Sequence, residues 1–227
     1  MRNIKNILFC FILFCFVLTS CYYKSSDYYN SKAEKLEKDG KYNEAIIFLD
    51  KAIEKKPKNI YALINRGVDK SLIGDFKGAI EDYSRIIEID ESNTLAYFNR
   101  ALNLKRLEDY KGAIEDLNKA LESKRCGDTS IYFDMEKNPL INNEFDVKTV
   151  DIFFERGFAN YYYGNLQNAF NDFNFCIQHF YNIPKSYYML GLIYIAYGDF
   201  NIGCEMLKKS KNMGDLDAQK MIDLYCK

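Results

Sequence analysis

The sequence is poor in the residues and motifs that enzymes use for catalysis. Its one histidine, His179, lies in a helical pattern with no nucleophile near it in the sequence. The motifs HExxH and GxSxG are missing, and so is a phosphate-binding glycine loop. We therefore expect a protein that is not an enzyme and that holds no cofactor and no metal.

The sequence also lacks a large net charge of either sign. The chain has 31 Lys and Arg residues against 32 Asp and Glu residues, a formal net charge of −1. Proteins that bind nucleic acid use basic patches, often interleaved with aromatic residues, to contact the phosphates. Because the sequence contains no such stripe, nucleic acid is not expected as a partner.

The one long apolar run, Ile7–Leu18, has twelve residues. A helix needs about 20 apolar residues to span a bilayer, so this run is too short. Arg2 and Lys5 precede it and small residues follow it, which is the layout of a secretory signal. We expect residues 1–20 to be a signal peptide that takes no part in the fold.

The end of this segment, Leu18-Thr19-Ser20-Cys21, resembles the lipobox of bacterial lipoproteins. The resemblance implies cleavage before Cys21 and lipidation of its thiol by diacylglycerol and palmitate-type chains, with residues 21–25 as a short tether. The protein would then lie in the bacterial cell envelope, lipid-anchored to a membrane, with the rest of the chain in the periplasm or exposed outside. The alternative is an ordinary secretory signal followed by a chance cysteine.

Four cysteines follow Cys21, and none belongs to a CxxC pair. In an exported protein an even number permits disulfides, and a bridge between Cys204 and Cys226 is one option. Cys176 stands where Ala52 and Ala120 stand in the repeats described next, which favours a small buried side chain. The disulfide state of Cys126 stays open.

Three classes of position recur with one spacing along the chain. The turn residues are 34, 34, 56 and 34 residues apart: Gly40, Gly74, Glu108, Gly164 and Gly198. Two small residues in each repeat keep the same spacings: Ala33, Gly67, Ala101, Gly157 and Gly191, and Ala45, Ala79, Ala113, Ala169 and Gly203. Because each repeat reads as two amphipathic helices, the pattern predicts five stacked helix hairpins.

The period, with NRG, NRA and ERG in the first helices and GDF, EDY and GNL at the turns, resembles the tetratricopeptide repeat family. The resemblance implies an all-α, right-handed superhelical solenoid of about five hairpins plus a C-terminal capping helix. Repeats one to three would occupy residues 26–127, an insertion 128–149, repeats four and five 150–214, and the cap 215–227. Four apolar residues of the cap are expected to cover the exposed end of repeat five: Leu216, Met221, Ile222 and Leu224. Tyr110 and its equivalents, two residues past each turn, would fill the gap between hairpins.

The family likeness also implies that the first helices line a concave side, where aromatic side chains are common anchors for a partner. The predicted binding residues are Phe98, Asn99, Leu102, Arg106, Phe154, Phe158, Tyr161, Tyr162 and Tyr188. The alternative is that several of them pack inside the solenoid. The carboxylate clamp of some family members is not expected, since only Asn65 and Asn99 fall at matching positions.

We expect a membrane-anchored, non-catalytic scaffold of the cell envelope that binds a protein or an extended peptide. One alternative is a pilotin-like or assembly-factor lipoprotein for outer-membrane or secretion machinery. Another is a binding accessory for a small ligand such as a glycan. Arg66, Arg100 and Arg156 are expected to pair with carboxylates of their own hairpins, and the insertion serves either binding or only as a surface loop.

Overall fold

The structure is a computed structural model that describes residues 24–125 and 147–226. Within these ranges every regular element is an α-helix. The eleven helices are α1 (Ser26–Lys38), α2 (Tyr42–Lys55), α3 (Ile60–Leu72), α4 (Phe76–Ile89), α5 (Thr94–Arg106), α6 (Tyr110–Arg125), α7 (Thr149–Tyr163), α8 (Leu166–Gln178), α9 (Ile183–Ala196), α10 (Phe200–Asn212) and α11 (Asp217–Tyr225). None of these described helices is both long enough and apolar enough to cross a membrane. Cys21, Cys126 and most of the insertion lie outside the described residues, so the predictions for them stay predictions.

The turns inside the hairpins end the first helices in a uniform way. Gly40, Gly74, Gly164 and Gly198 have positive φ values. Repeat three has Glu108 at this position, with φ +63°. A left-handed backbone costs a residue with a Cβ about 1–2 kcal/mol, so Glu108 is a strained member of the series.

The described chain forms two compact units, of which the first ends at Asp75. This unit holds α1, α2 and α3, with α1 packed on α2 and α2 on α3. Leu49 and Leu63 are fully buried at its core, together with small alanines. The Ser26 hydroxyl donates to the carbonyl oxygen of Ala52 at 2.9 Å and accepts from the Asn59 amide at 2.8 Å, so polar groups also join the start of α1 to the end of α2.

The second unit begins at Phe76 and holds α4 to α11. Its hairpins are the pairs α5 and α6, α7 and α8, and α9 and α10, and α4 packs on α5. Consecutive hairpins stack through contacts of α6 with α7 and of α8 with α9. Helices α6 and α7 are therefore in direct contact, although α6 ends at Arg125 and α7 begins only at Thr149.

Glycines allow close packing within the hairpins of repeats four and five. A Cβ added to Gly157 would lie 3.0 Å from the Phe173 ring. A Cβ on Gly203 would lie only 2.9 Å from the carbonyl oxygen of Gly191. A glycine inside a helix lowers helix stability by about 1 kcal/mol relative to alanine, so Gly203 disfavours α10 as an isolated helix. The contact with Gly191 explains why the small residue is needed there, and α10 is a regular helix of 13 residues.

Two arginines of the first helices make the expected ion pairs within their own hairpins. Arg100 donates two hydrogen bonds to Asp116, both 2.7 Å long. Arg156 donates two to Asp172, at 3.0 and 2.6 Å. Burial raises the pKa of Asp172, and the Arg156 guanidinium opposes that shift. The bidentate pairs therefore place charge inside the stack with its hydrogen bonds satisfied.

The C-terminal helix α11 packs on α10 and α9. Ala218 is its buried residue, whereas the predicted covering residues Leu216 and Leu224 are 90% and 58% exposed. The prediction that Leu216 and Leu224 cover repeat five is therefore wrong, whereas Met221 and Ile222, the other two predicted covering residues, are half-buried. A disulfide joins Cys204 of α10 to Cys226 at the end of α11, with the Cα atoms 5.6 Å apart.

Cys176 lies in the core of repeat four as a free thiol with no exposed surface. Burial raises the pKa of this thiol to about 12. A thiol with such a pKa stays protonated and unreactive, because the thiolate is the nucleophile. The interpretation of Cys176 as a small buried side chain is confirmed.

Candidate peptide-binding groove

A groove with a volume of about 520 Å³ opens between α5, α6 and α7 in the second unit. Its lining residues are Leu102, Lys105, Arg106, Tyr110, Glu155, Phe158 and Tyr162. On α5, Lys105 and Arg106 follow Leu102 by three and four residues. On α7, the lining residues are three and four residues apart. Each helix therefore presents one face to the groove, as helical periodicity requires.

Aromatic rings form the walls of this groove. Tyr110 and Tyr162 stack with their ring centroids 5.4 Å apart and their planes at 19°. Tyr162 is 58% exposed, so much of its surface is available to a partner. Phe158 is half-buried and packs edge-on against Phe173 at 5.3 Å, which fixes its ring from behind. The groove thus has an aromatic surface that is largely formed before any partner binds.

The two cations in the groove have different surroundings. Lys105 forms an ion pair with Glu155, and its ammonium lies 5.4 Å from the ring centroid of Phe158. The Arg106 side chain is exposed, and its guanidinium makes no hydrogen bond or ion pair with any other described residue. The described lining residues include two cations and one carboxylate, a net charge of +1, and Arg106 supplies the uncompensated charge.

Four of the nine predicted binding residues line the groove: Leu102, Arg106, Phe158 and Tyr162. Phe98, Asn99, Tyr161 and Tyr188 are half-buried and lie outside its lining. Phe154 is 8% exposed and belongs to the core cluster with Phe173 and Met189. The prediction of Phe154 as a surface residue is therefore wrong, because rings of neighbouring elements cover it.

Three lining residues are not among the nine predicted binding residues: Lys105, Tyr110 and Glu155. Lys105 follows Leu102 by one helical turn, so spacing alone could have included it. Tyr110 was interpreted as the residue that fills the gap between hairpins. Its stacking on Tyr162 of the next hairpin shows that it does so and lines the groove as well.

Tyrosines continue this aromatic surface beyond the groove. The rings of Tyr161 and Tyr162 are in edge-to-face contact at 5.3 Å. Burial raises the pKa of Tyr161, and the phenols of Tyr162, Tyr188 and Tyr225 raise it further. The Lys185 ammonium lies 4.2 Å from the ring centroid of Tyr188. An extended partner that leaves the groove along these residues would find further aromatic contacts.

The described residues that line the groove include no histidine and no cluster of metal ligands. Across residues 24–125 and 147–226, no three His, Cys, Asp or Glu side chains are placed to hold a metal ion. His179 is at the end of α8, where its ring lies 4.1 Å from that of Phe175. Through the residues that the structure describes, the groove offers contact with apolar groups and the unpaired guanidinium of Arg106.

Residues 26–59 and 95–125 match the family model of the tetratricopeptide repeat, so the chain contains tetratricopeptide repeats. Several solved structures have the same fold. MamA from Desulfovibrio magneticus RS-1, residues 41 to the end, superposes with a TM-score of 0.68 and 13% identity over 82% of this chain and 93% of that one. YrrB, a tetratricopeptide protein with an unusual peptide-binding site, gives 0.66 and 19% over 86% and 90%. PilW, a type IV pilus biogenesis factor, gives 0.61 and 15% over 82% and 76%.

No curated protein sequence matches the chain significantly. The likenesses to solved structures confirm the prediction of an all-α fold built from tetratricopeptide-type hairpins. At identities below 20% they concern the fold alone.

Proposed function

We propose that this protein is a non-catalytic scaffold that holds a segment of another protein in the groove between α5, α6 and α7. The observation that carries the proposal is the groove itself, with its volume of about 520 Å³ and its exposed aromatic wall. Binding pockets are typically about 300–1,000 Å³ in volume and combine apolar walls with a few polar groups. The groove has both properties.

The rigidity of the wall also favours binding. Phe158 packs against Phe173 and Phe154, so it loses little freedom when a partner docks. Rings that are held before binding reduce the entropy lost on association. YrrB, which has the same fold, has a peptide-binding site, and this is consistent with a peptide as the ligand here.

We further propose that the scaffold is anchored in the bacterial cell envelope through acyl chains on Cys21. The lipobox-like residues 18–21 after the apolar run support this proposal. Several acyl chains, each contributing about 0.8 kcal/mol per buried methylene, would hold the protein at a membrane. Metabolic labelling with a palmitate analogue should mark the wild-type protein and not Cys21→Ala. Equal labelling of the two proteins would exclude Cys21 as the anchor.

The groove is tested with two neighbouring tyrosines. Tyr162→Ala removes a lining residue, whereas Tyr163→Ala removes a ring of similar exposure, 50%, that is not part of the lining. A partner that co-purifies from solubilised membranes with the wild type should be retained by Tyr163→Ala and lost with Tyr162→Ala. Equal retention by both variants would contradict binding at the groove.

An assembly factor for envelope machinery is the second candidate. The observation that favours it is the shared fold with PilW, a pilus biogenesis factor, at 15% identity. In that case the co-purified partner should be a subunit of a pilus, an outer-membrane complex or a secretion system. Mass spectrometry of the partner retained in the experiment above separates this candidate from a general peptide-binding scaffold.

A further inference from the structure

We propose that the groove selects an extended segment with a carboxylate side chain two residues away from an aromatic or large aliphatic side chain. This inference rests on the proposed function and names the chemistry of its ligand. It is argued from the charges of the groove, from its aromatic wall and from the spacing along α5.

The charges point to an acidic partner. Glu155 already compensates Lys105, while Arg106 is exposed and makes no ion pair with another described residue. The planar guanidinium of arginine binds carboxylates through two parallel hydrogen bonds. A carboxylate placed at Arg106 would neutralise the net charge of the lining, whereas a basic side chain there would meet like charge.

The apolar part of the lining begins one helical turn away from Arg106. Leu102 precedes it by four residues on the same face of α5, and Phe158 and Tyr162 of α7 complete the wall. This surface suits an aromatic or branched aliphatic side chain, because such groups bury large apolar areas. The groove therefore offers one charged and one apolar subsite side by side.

The distance between the subsites sets the spacing in the ligand. Four residues of an α-helix rise by about 6 Å. Two residues of an extended chain span about 6.6 Å, and their side chains point to the same face. A Glu or Asp at one position and a Phe, Tyr or Leu two positions away therefore match Arg106 and Leu102 in register.

Full-length protein purified in detergent is titrated with fluorescent ten-residue peptides, acetylated and amidated at their ends. The peptides carry Glu-x-Phe, Gln-x-Phe, Lys-x-Phe or Glu-x-Ala in an otherwise constant background. Fluorescence anisotropy should show Glu-x-Phe binding about tenfold more tightly than Gln-x-Phe, as expected for a hydrogen-bonded charge pair. Arg106→Gln should abolish this difference. Lys208→Gln, which removes an exposed cation of α10 outside the groove, should preserve it.

The outcomes separate this inference from the proposed function. Equal binding of Glu-x-Phe and Gln-x-Phe, weakened in both cases by Tyr162→Ala, would overturn the charge selection and leave the groove as a binding site. Binding of every peptide unchanged by Tyr162→Ala would overturn both. A Gln-x-Phe peptide with a free C-terminus that binds more tightly than the amidated Glu-x-Phe peptide would mean selection of a terminal carboxylate and would overturn the side-chain form proposed here. Circular dichroism of Arg106→Gln checks that the exposed substitution leaves the fold intact.

Discussion

Replacing Phe154 by alanine distinguishes a core residue from a groove residue. Phe154 is 8% exposed and makes edge-to-face contacts with Phe158 at 5.0 Å and with Tyr181 at 5.5 Å. Truncation of a buried phenylalanine costs about 3–5 kcal/mol. Each kcal/mol lowers the melting temperature of a protein of this size by about 2–4 °C, so Phe154→Ala should melt about 6–20 °C below the wild type.

Thermal unfolding followed by circular dichroism measures this difference. Tyr162→Ala is the control on the same helix. This ring is 58% exposed, and its truncation removes the stacking on Tyr110 and the edge-to-face contact with Tyr161, which contribute about 1 kcal/mol each. Phe154→Leu should fall between the wild type and Phe154→Ala, since it retains part of the buried volume. If Phe154→Ala and Tyr162→Ala melt together, the placement of Phe154 in the core is refuted.

Three further predictions concern stability. Glu108→Gly should raise the free energy of unfolding by roughly 0.5–1 kcal/mol, because glycine adopts the positive φ without strain. Urea titrations measure this value, and an unchanged or lower one would contradict strain at this turn. Cys226→Ser removes the bridge to Cys204 and should lower the free energy of unfolding by up to about 3 kcal/mol. Trypsin should then cleave α11 first, and unchanged cleavage would mean that the bridge does not hold this helix. Burial raises the pKa of Asp69 to about 7, with a further contribution from Glu37, so the charged form is disfavoured in the fold and stability should fall as pH rises from about 4 to 7. Asp69→Asn should match the wild type near pH 4 and be more stable at pH 8, and identical pH profiles would refute the shift.

The repeat pattern predicted the hairpins because it depends on short-range geometry. Turn residues and small residues recur at fixed offsets, and helical periodicity converts those offsets into faces. Helix α1 begins at Ser26, the residue at which the first repeat was predicted to start. Even the unusual residue at the third turn, Glu108, adopts the left-handed backbone of its glycine counterparts. The position of a residue in the repeat therefore predicted its backbone conformation better than its residue type did.

The predicted binding surface was less accurate because exposure depends on distant neighbours. Phe154 and Phe158 lie four residues apart on α7, so periodicity places both on one face. Tyr181, which follows α8, contacts Phe154 and helps to bury it, whereas Phe158 remains at the groove. The sequence contains all three rings, but it does not show which of them contact one another in the folded protein.

The groove depends on the stacking of two repeats. Tyr110 belongs to the second helix of repeat three and Tyr162 to the first helix of repeat four, and their stacked rings form one wall. The ion pair of Lys105 with Glu155 joins the same two repeats from α5 to α7. Neither repeat has the complete set of lining residues by itself. A substitution that disturbs the contact of α6 with α7 should therefore impair binding even when it removes no lining residue, because it would separate the two walls.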